Sequence, residues 1–138
     1  GLGDAGYTCS GDGRRVVEML AELPDLWDVN VQNSNLDVMT ARFADEGWQE
    51  PFTAFVKQVT TKPVVAVGRY TSPDRMVSLI KNGLVDLIGA ARPSIADPFL
   101  PKKIEEGRIE DIRECIGCNT CLSMQYMGGA IRCTQNPT

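Results

Sequence analysis

The chain has 138 residues, the length of one ordinary domain, and a formal net charge of −4. Its 43% hydrophobic and 23% charged residues are typical of a globular domain and exclude a disordered one. The acidic balance offers no basic surface for nucleic acid, and no apolar run approaches the roughly 20 residues that span a membrane. Histidine is absent, so histidine-based zinc sites and Ser-His or Cys-His catalysis cannot be completed within these residues.

Hydrophobic periodicity predicts helices and strands that alternate along the chain. Apolar residues spaced three and four apart indicate the helices, and short β-branched runs indicate the strands. Prolines, an N-cap serine at position 72 and the Asn82-Gly83 pair mark several of the helix ends. In chain order we predict a helix over residues 14–23, a strand over 26–31, a helix from residue 51, a strand over 64–67, a helix from residue 73, a strand over 84–88 and a helix from about 97 to 107.

This alternation predicts an α/β fold with parallel strands joined by crossover helices. Three strands alone make a poor independent domain, and they fit the last three βα units of a (β/α)₈ TIM barrel, which needs about 250 residues. The chain begins with Gly1 rather than Met and its opening has no signal-peptide pattern. We therefore predict the C-terminal portion of a TIM barrel within a longer protein, followed by a cysteine-rich loop.

Four cysteines near the end of the chain have the spacing of a [4Fe–4S] site. Cys115, Cys118 and Cys121 are each separated by two residues, so one compact turn can direct three thiolates to one cluster. Cys133 follows after eleven further residues and completes the tetrathiolate set. Gly117 relieves crowding where the backbone must pass close to the sulfides.

Zinc and disulfides are the alternative interpretations of these cysteines. Structural zinc usually uses two separated Cys-x₂-Cys pairs rather than a run of three. Disulfides need an oxidising compartment and an even number of cysteines, whereas this chain has five. The spacing favours the iron–sulfur cluster, and Cys9 is predicted to be a free thiol.

Two consecutive strand ends carry a small residue followed by arginine, namely Gly68-Arg69 and Ala91-Arg92. Loops after the last two strands of a barrel commonly bind phosphate through backbone N–H groups. Glycine lets the backbone approach an anion closely, and arginine adds charge-assisted hydrogen bonds. Two such turns in succession favour a phosphate site over two unrelated surface arginines.

The polar stretch over residues 32–47 is long for a plain connection, which indicates a functional loop. It contains Asp37, Arg42 and Asp45 and would lie on the catalytic face, although such charges alone are more typical of a solvated loop. Lys102 and Lys103 are predicted to lie on a solvated helix face.

Four stretches of this sequence resemble the trimethylamine, dimethylamine and histamine dehydrogenase family, iron–sulfur flavoproteins of the Old Yellow Enzyme group. The resemblance runs from about residue 14 to the end of the chain. It implies that residues 1–108 are the C-terminal part of an FMN-binding TIM barrel and that residues 109–138 bind a [4Fe–4S] cluster. The stretches are KPVVAVGRYTSPDRM, DLIGAARPSIADPFLPKKIEEGR, IRECIGCNTC and RCTQNP.

The resemblance also assigns cofactor-binding roles, residue by residue. The family binds the FMN phosphate at two turns, which match Gly68, Arg69, Ala91 and Arg92. The family's cluster ligands match the four cysteines Cys115, Cys118, Cys121 and Cys133.

For catalysis, an ungapped match places Asp37 on the family's active-site aspartate, which orients a histidine that would lie upstream of this chain. Ser34 falls where the trimethylamine enzyme has a tryptophan of its aromatic bowl, and Gln125 and Tyr126 lie near a second such position. These differences argue against a fully methylated ammonium, which such a bowl would hold by cation–π attraction, as the preferred substrate.

The resemblance implies a cytoplasmic enzyme that oxidises a small amine through FMN. Electrons would pass by the [4Fe–4S] cluster to an electron-transferring flavoprotein, and the full-length protein would be a homodimer without a nucleic-acid or membrane partner. One alternative is a 2,4-dienoyl-CoA reductase-like enzyme that uses NADPH, although its family usually places three residues between the second and third cysteines. Another is a non-catalytic iron–sulfur electron carrier, which would not need the two arginine turns.

Overall fold

The computed structural model describes residues 8–31 and 41–136. None of the helices in these ranges is long and apolar enough to cross a membrane. The elements in chain order are α1 (Asp12–Leu20), β1 (Trp27–Val29), α2 (Glu50–Thr53), α3 (Phe55–Val59), β2 (Val64–Val67), α4 (Pro73–Lys81), β3 (Leu87–Gly89), α5 (Ala91–Ala96), α6 (Leu100–Glu105), a 3₁₀ turn (Ile109–Asp111) and α7 (Thr120–Tyr126).

The three strands form one parallel sheet in the order β1-β2-β3. Trp27 pairs with Val64, and Val67 at the end of β2 pairs with Gly89 at the end of β3. The predicted α/β alternation and parallel sheet are therefore confirmed. This register also places the turns that follow β2 and β3 at the same edge of the sheet.

A small apolar core lies between the sheet and the helices that follow β2 and β3. Along β2 the burial alternates, because Val64 and Ala66 are buried whereas Val65 and Val67 are half-buried. The sequence predicts a strand buried on both faces, but the face that carries Val65 and Val67 is only half-buried. The buried members of the core are Ala66, Tyr70, Met76, Leu79, Val85 and Leu100.

Helix α4 has the predicted ends. Ser72 Oγ accepts a hydrogen bond from the backbone N–H of Arg75 at 3.3 Å, and Pro73 is the first helical residue. The serine cap satisfies one of the orphan N–H donors at the helix start, and proline removes another because it has no N–H. The helix ends before Gly83, whose φ of +67° lies in the left-handed region that glycine adopts readily.

Helix α1 ends earlier than predicted, at Leu20, because Leu23 folds back in a turn with its N–H donating to the Leu20 carbonyl at 3.0 Å. The described residues leave much of its apolar face exposed, and the exposed fraction of Met19 is 81%. The helix packs against α3, where the guanidinium of Arg14 lies 5.2 Å from the centre of the Phe55 ring.

The short helix α5 is missed by the periodicity because it contains Pro93 at its third position. Proline is tolerated in a first helical turn, where its missing N–H has no intrahelical acceptor. The predicted last helix begins later than expected, at Leu100, because Asp97 and the two residues after it form a turn instead. In that turn Asp97 Oδ1 accepts from the Phe99 N–H at 3.0 Å.

The carboxylate of Asp97 is fully buried and connects several segments of the chain. Its Oδ2 accepts from Lys103 Nζ at 2.5 Å and from the backbone N–H of Arg113 at 2.9 Å. Burial alone would raise the pKa of Asp97, but the hydrogen bonds from Lys103, Arg113 and Phe99 outweigh it and lower the pKa below its ordinary value. The prediction of a solvated Lys103 is wrong, because its side chain is only 11% exposed.

We expect Asp97→Ala to lower the stability of the full-length protein by about 3–5 kcal/mol, because it removes the buried acceptor of the Lys103 ammonium and of the Phe99 and Arg113 backbone N–H groups. Thermal and urea unfolding at pH 7 measure this loss. Since the folded-state pKa of Asp97 is lowered, its contribution is present above about pH 4, the ordinary aspartate value. It is lost as the pH falls through the folded-state pKa, so wild type and Asp97→Ala should converge in acid.

Asp111→Ala is the matched control. The Asp111 side chain is 59% exposed and pairs with Arg108 at the surface, while its backbone carbonyl, which accepts from Lys103 Nζ at 2.7 Å, is unchanged by the substitution. Surface ion pairs contribute about 0–1 kcal/mol, so this variant should stay close to wild type. Equal losses for the two variants would contradict the role given to Asp97.

Candidate functional site

The sheet register brings the two arginine turns to neighbouring positions. Gly68 and Arg69 follow the last residue of β2, and Ala91 and Arg92 open α5 shortly after β3 ends. The backbone at Gly68 is closely approached, because a Cβ there would lie 2.9 Å from the Cα of Gly47. The Gly47 N–H donates to the Gly68 carbonyl at 2.9 Å, so the loop after residue 41 is fixed against this turn.

Arg69 is a half-buried residue in an uncommon backbone conformation. Its φ is +54°, a region that residues other than glycine rarely adopt. Its Nη2 donates to the carbonyl of Ala44 at 2.8 Å. Among the described residues its Nε is buried and has no hydrogen-bond partner. An unpaired buried guanidinium donor fits an anionic ligand, because burial without a partner is otherwise costly.

Arg92 faces the cysteine-rich loop. Its Nη1 donates to Asn119 Oδ1 at 2.7 Å, and Asn119 lies between Cys118 and Cys121. Asn119 has a φ of +58°, which asparagine tolerates better than most residues. The turn predicted to bind phosphate and the loop predicted to bind the cluster are therefore in direct contact.

The first turn of the cysteine loop packs against two other segments. The Arg42 N–H donates to the Gly117 carbonyl at 2.9 Å, and a Cβ at Gly117 would lie 2.7 Å from the Arg42 nitrogen and 3.2 Å from Arg69 Cδ. Glu114, just before the first cysteine, accepts from Thr71 Oγ1 at 2.9 Å. Gly117, with a φ of +66°, is thus required by both conformation and space.

The structure brings Cys133 back to the loop that holds the other three cysteines. The hydroxyl of Thr134, its neighbour, lies 3.3 Å from Cys118 Sγ, and the Gln135 N–H donates to Cys133 Sγ at 3.4 Å. Cys118 Sγ also lies 3.4 Å from Thr120 Oγ1. All five cysteines belong to the described residues, and every one is a free thiol rather than part of a disulfide.

The environments of the thiols differ. Burial raises the pKa of Cys115, an effect only partly offset by the Gly117 N–H and by the charges of Arg92 and Arg69. Hydrogen bonds from Thr120 and Thr134 lower the pKa of Cys118. Hydroxyl and amide donors directed at sulfur stabilise a thiolate, which is the form that binds iron.

The cysteines do not converge on a single point. In residues 8–31 and 41–136, no three side chains of Cys, His, Asp or Glu form a group that could hold one metal ion. A cubane cluster instead binds each thiolate at a separate iron corner. A donor set of four thiols on a glycine-containing turn and a returning irregular segment fits such a cluster in its chemistry.

Some predicted site residues lie outside the residues that the structure describes, and others lie at exposed positions. Asp37 and Ser34 fall within residues 32–40, which are outside the described residues. Gln125 and Tyr126 are at the end of α7, and Tyr126 is 77% exposed. Cys9 is exposed, at the other end of the chain.

Sequence reasoning missed two residues that structure this site, Asn119 and Asn136. The side chains of both residues make hydrogen bonds to segments distant in sequence, and no local periodicity marks them. The position of Asn119 between two cysteines was the available signal, because a tight turn there favours Gly or Asn.

Comparison with known proteins identifies the family. Residues 6–111 match the NADH:flavin oxidoreductase / NADH oxidase family. The chain is 49% identical over 140 aligned positions to dimethylamine dehydrogenase from Hyphomicrobium sp. (strain x), covering 99% of this chain and 19% of the relative.

Two solved structures are similar over most of the chain. The 6-hydroxypseudooxynicotine amine oxidase from Pseudomonas geniculata N1 superposes with a TM-score of 0.90 at 65% identity, covering 94% of this chain and 19% of that one. Histamine dehydrogenase from Rhizobium sp. 4-9 gives a TM-score of 0.88 at 55% identity, with coverage of 92% and 18%. The chain thus spans about a fifth of the length of these relatives.

The family match covers most of the chain, and the sequence relative and the two solved structures are enzymes named for amines. The parallel α/β architecture agrees with the two superpositions. The chain therefore belongs to the NADH:flavin oxidoreductase / NADH oxidase family and, within it, to the group that contains the trimethylamine, dimethylamine and histamine dehydrogenases.

Proposed function

We propose that the full-length protein is an FMN-dependent dehydrogenase of a small amine that also holds a [4Fe–4S] cluster. Residues 1–108 would contribute the last three βα units of its (β/α)₈ barrel, and residues 109–138 would bind the cluster. The amine dehydrogenase named among the relatives and the amine-acting solved structures support this class of reaction.

The observation that supports this proposal best is the contact between Arg92 and Asn119, with 2.7 Å between Nη1 and Oδ1. It joins the second phosphate turn to the loop between Cys118 and Cys121. A protein that carried only a cluster would have no need of this turn. A flavoprotein that lacked a cluster would have no need of the cysteine loop.

In the proposed site, the two arginines have different tasks. Arg69 offers its buried Nε to a phosphate oxygen while its Nη2 stays on the Ala44 carbonyl. Arg92 uses one edge of its guanidinium for Asn119, and five N–H donors in a fixed fork allow it to serve a phosphate as well. Gly68 allows the first turn to pack against Gly47, and the exposed Ala91 would leave the backbone at the start of α5 open to the anion.

The four cysteines Cys115, Cys118, Cys121 and Cys133 would be the cluster ligands. When bound, FMN would accept two electrons from the amine C–H bond, and the cluster would deliver them singly to an electron-transferring flavoprotein. The glycine at position 117 lets the backbone pass close to the ligand turn. Arg69 and Arg92 place positive charge beside this turn, which favours an anionic cluster–thiolate assembly.

Substrate chemistry would depend on residues outside the described ranges as well. Asp37 is proposed to orient a histidine contributed by the rest of the protein, which would hold or move a proton at the amine. Ser34, Gln125 and Tyr126 in place of tryptophans favour an amine that is not fully methylated. The imine product would then be hydrolysed by water.

We expect about four iron atoms and four sulfides per chain in the full-length protein purified without oxygen, since a tetrathiolate cubane requires them. Cys118→Ala should abolish the EPR signal of the reduced cluster. Cys9→Ala is the matched control and should leave iron content and signal unchanged, because Cys9 is an exposed thiol far from the loop in sequence. Stoichiometric zinc in place of iron would contradict the cluster.

We expect Arg69→Lys to weaken FMN binding by about 1.5–3 kcal/mol, the range for a hydrogen bond to a charged group. Lysine keeps the positive charge but lacks the Nε donor. Flavin retention during dialysis measures the effect, or, where the flavin is covalently attached, the unfolding temperature followed by flavin fluorescence. Arg15→Lys is the control, because Arg15 is 79% exposed. Equal flavin behaviour in both variants would show that Arg69 does not bind the phosphate.

The direction of electron flow tests the function itself. Stopped-flow mixing of the anaerobic full-length enzyme with a small amine should bleach the flavin absorbance and then produce the reduced-cluster signal, with no NADPH added. An NADPH-dependent enoyl reductase uses the same cofactors in the opposite direction. Rapid flavin reduction by NADPH, with none by a panel of primary and secondary amines, would overturn the dehydrogenase proposal in favour of that alternative.

A further inference from the structure

The fourth cysteine is separated from the other three by an exposed segment. Residues 127–132 are all exposed, and the hydrogen bonds of Gly128 and Gly129 run back to the end of α7, to the carbonyls of Gln125 and Met124. These local hydrogen bonds form the turn after α7, but they do not connect Cys133 to the sheet and helices of residues 12–105. Closing a flexible loop costs more conformational entropy as the loop lengthens, so the position of Cys133 needs a separate anchor.

Asn136 provides that anchor with both ends of its side-chain amide. Its Oδ1 accepts from Arg113 Nη1 at 2.7 Å, and its Nδ2 donates to the carbonyl of Ile95 at 3.3 Å. An amide can accept and donate at once, whereas a carboxylate can only accept and an alkyl side chain can do neither. The contacts therefore depend on asparagine chemistry at this position, three residues after Cys133.

Both partners of Asn136 are fixed by other parts of the fold. The Arg113 backbone N–H donates to the buried carboxylate of Asp97 at 2.9 Å. Ile95 belongs to α5, the helix that opens with the Arg92 turn. The side chain of Arg113, two residues before Cys115, thus meets Asn136, three residues after Cys133, against one rigid helix.

We propose that Arg113 and Asn136 form a clasp that positions Cys133 as the fourth ligand of the cluster. The inference rests on the proposed [4Fe–4S] site and concerns how the chain closes around it. Hydrogen bonds that hold ligand-bearing segments typically change metal affinity 10–100-fold when they are removed. Because the clasp acts at one ligand only, its loss should loosen one iron corner and leave the other three intact.

The test compares iron release from the full-length holoenzyme under anaerobic conditions. Ferricyanide oxidation converts a [4Fe–4S]²⁺ cluster to [3Fe–4S]⁺ with release of one Fe²⁺ and one electron, the electron going to ferricyanide. We expect Asn136→Ala and Arg113→Ala to release this one iron about 10–100-fold faster than wild type, with a three-iron EPR signal. Asn136→Asp, which keeps the acceptor and loses the donor to Ile95, should lie between.

Arg132→Ala is the matched control, since it removes an exposed arginine directly before Cys133 and should release iron at the wild-type rate. The double variant Arg113→Ala/Asn136→Ala should release iron no faster than Asn136→Ala alone, because that substitution already removes the contact with Arg113. Wild-type release rates in the single variants, additive rates in the double variant, or simultaneous loss of all four irons would each overturn the clasp. A wild-type protein without four irons would instead overturn the proposed function.

Discussion

The buried carboxylate of Asp97 is the constraint on which the arrangement around the cysteine loop depends. An ionised group without solvent is tolerated only when its partners are close, and here they come from three segments: Lys103 on α6, the Phe99 N–H before it and the Arg113 N–H beyond the 3₁₀ turn. Satisfying one charge therefore fixes the path of the chain from the end of α5 to within two residues of Cys115.

The parallel sheet determines the second relationship in the site. Because Val67 pairs with Gly89, β2 and β3 end at the same edge of the sheet. Arg69 and Arg92 therefore lie in neighbouring turns. This part was predictable, since β-branched runs, a serine cap and Asn-Gly helix stops are local signals that the structure confirms. The spacing of the cysteines is equally local, which is why the candidate loop could be recognised before any coordinates.

What the sequence could not supply are contacts between distant segments. Lys103 follows the pattern of a solvated helix face, yet it is buried against Asp97 because a carboxylate from another turn meets it there. Asn119 and Asn136 carry no periodicity at all, and their roles follow from partners 27 and 23 residues away. The apolar face of α1 illustrates the opposite case, a clear helical pattern that the described residues leave largely uncovered, so that Met19 stays exposed.

Helix α5 contacts the cysteine segment at two places. Arg92 in its first turn holds Asn119, within the run of three cysteines, and the carbonyl of Ile95 near its end holds Asn136, just beyond the fourth. The helix has six residues, less than two turns, so these two contacts lie close together on one short element. The same unit begins with the turn proposed to bind the FMN phosphate. If that turn binds the phosphate, the flavin and the cysteine loop would both be held by contacts to the same six-residue helix.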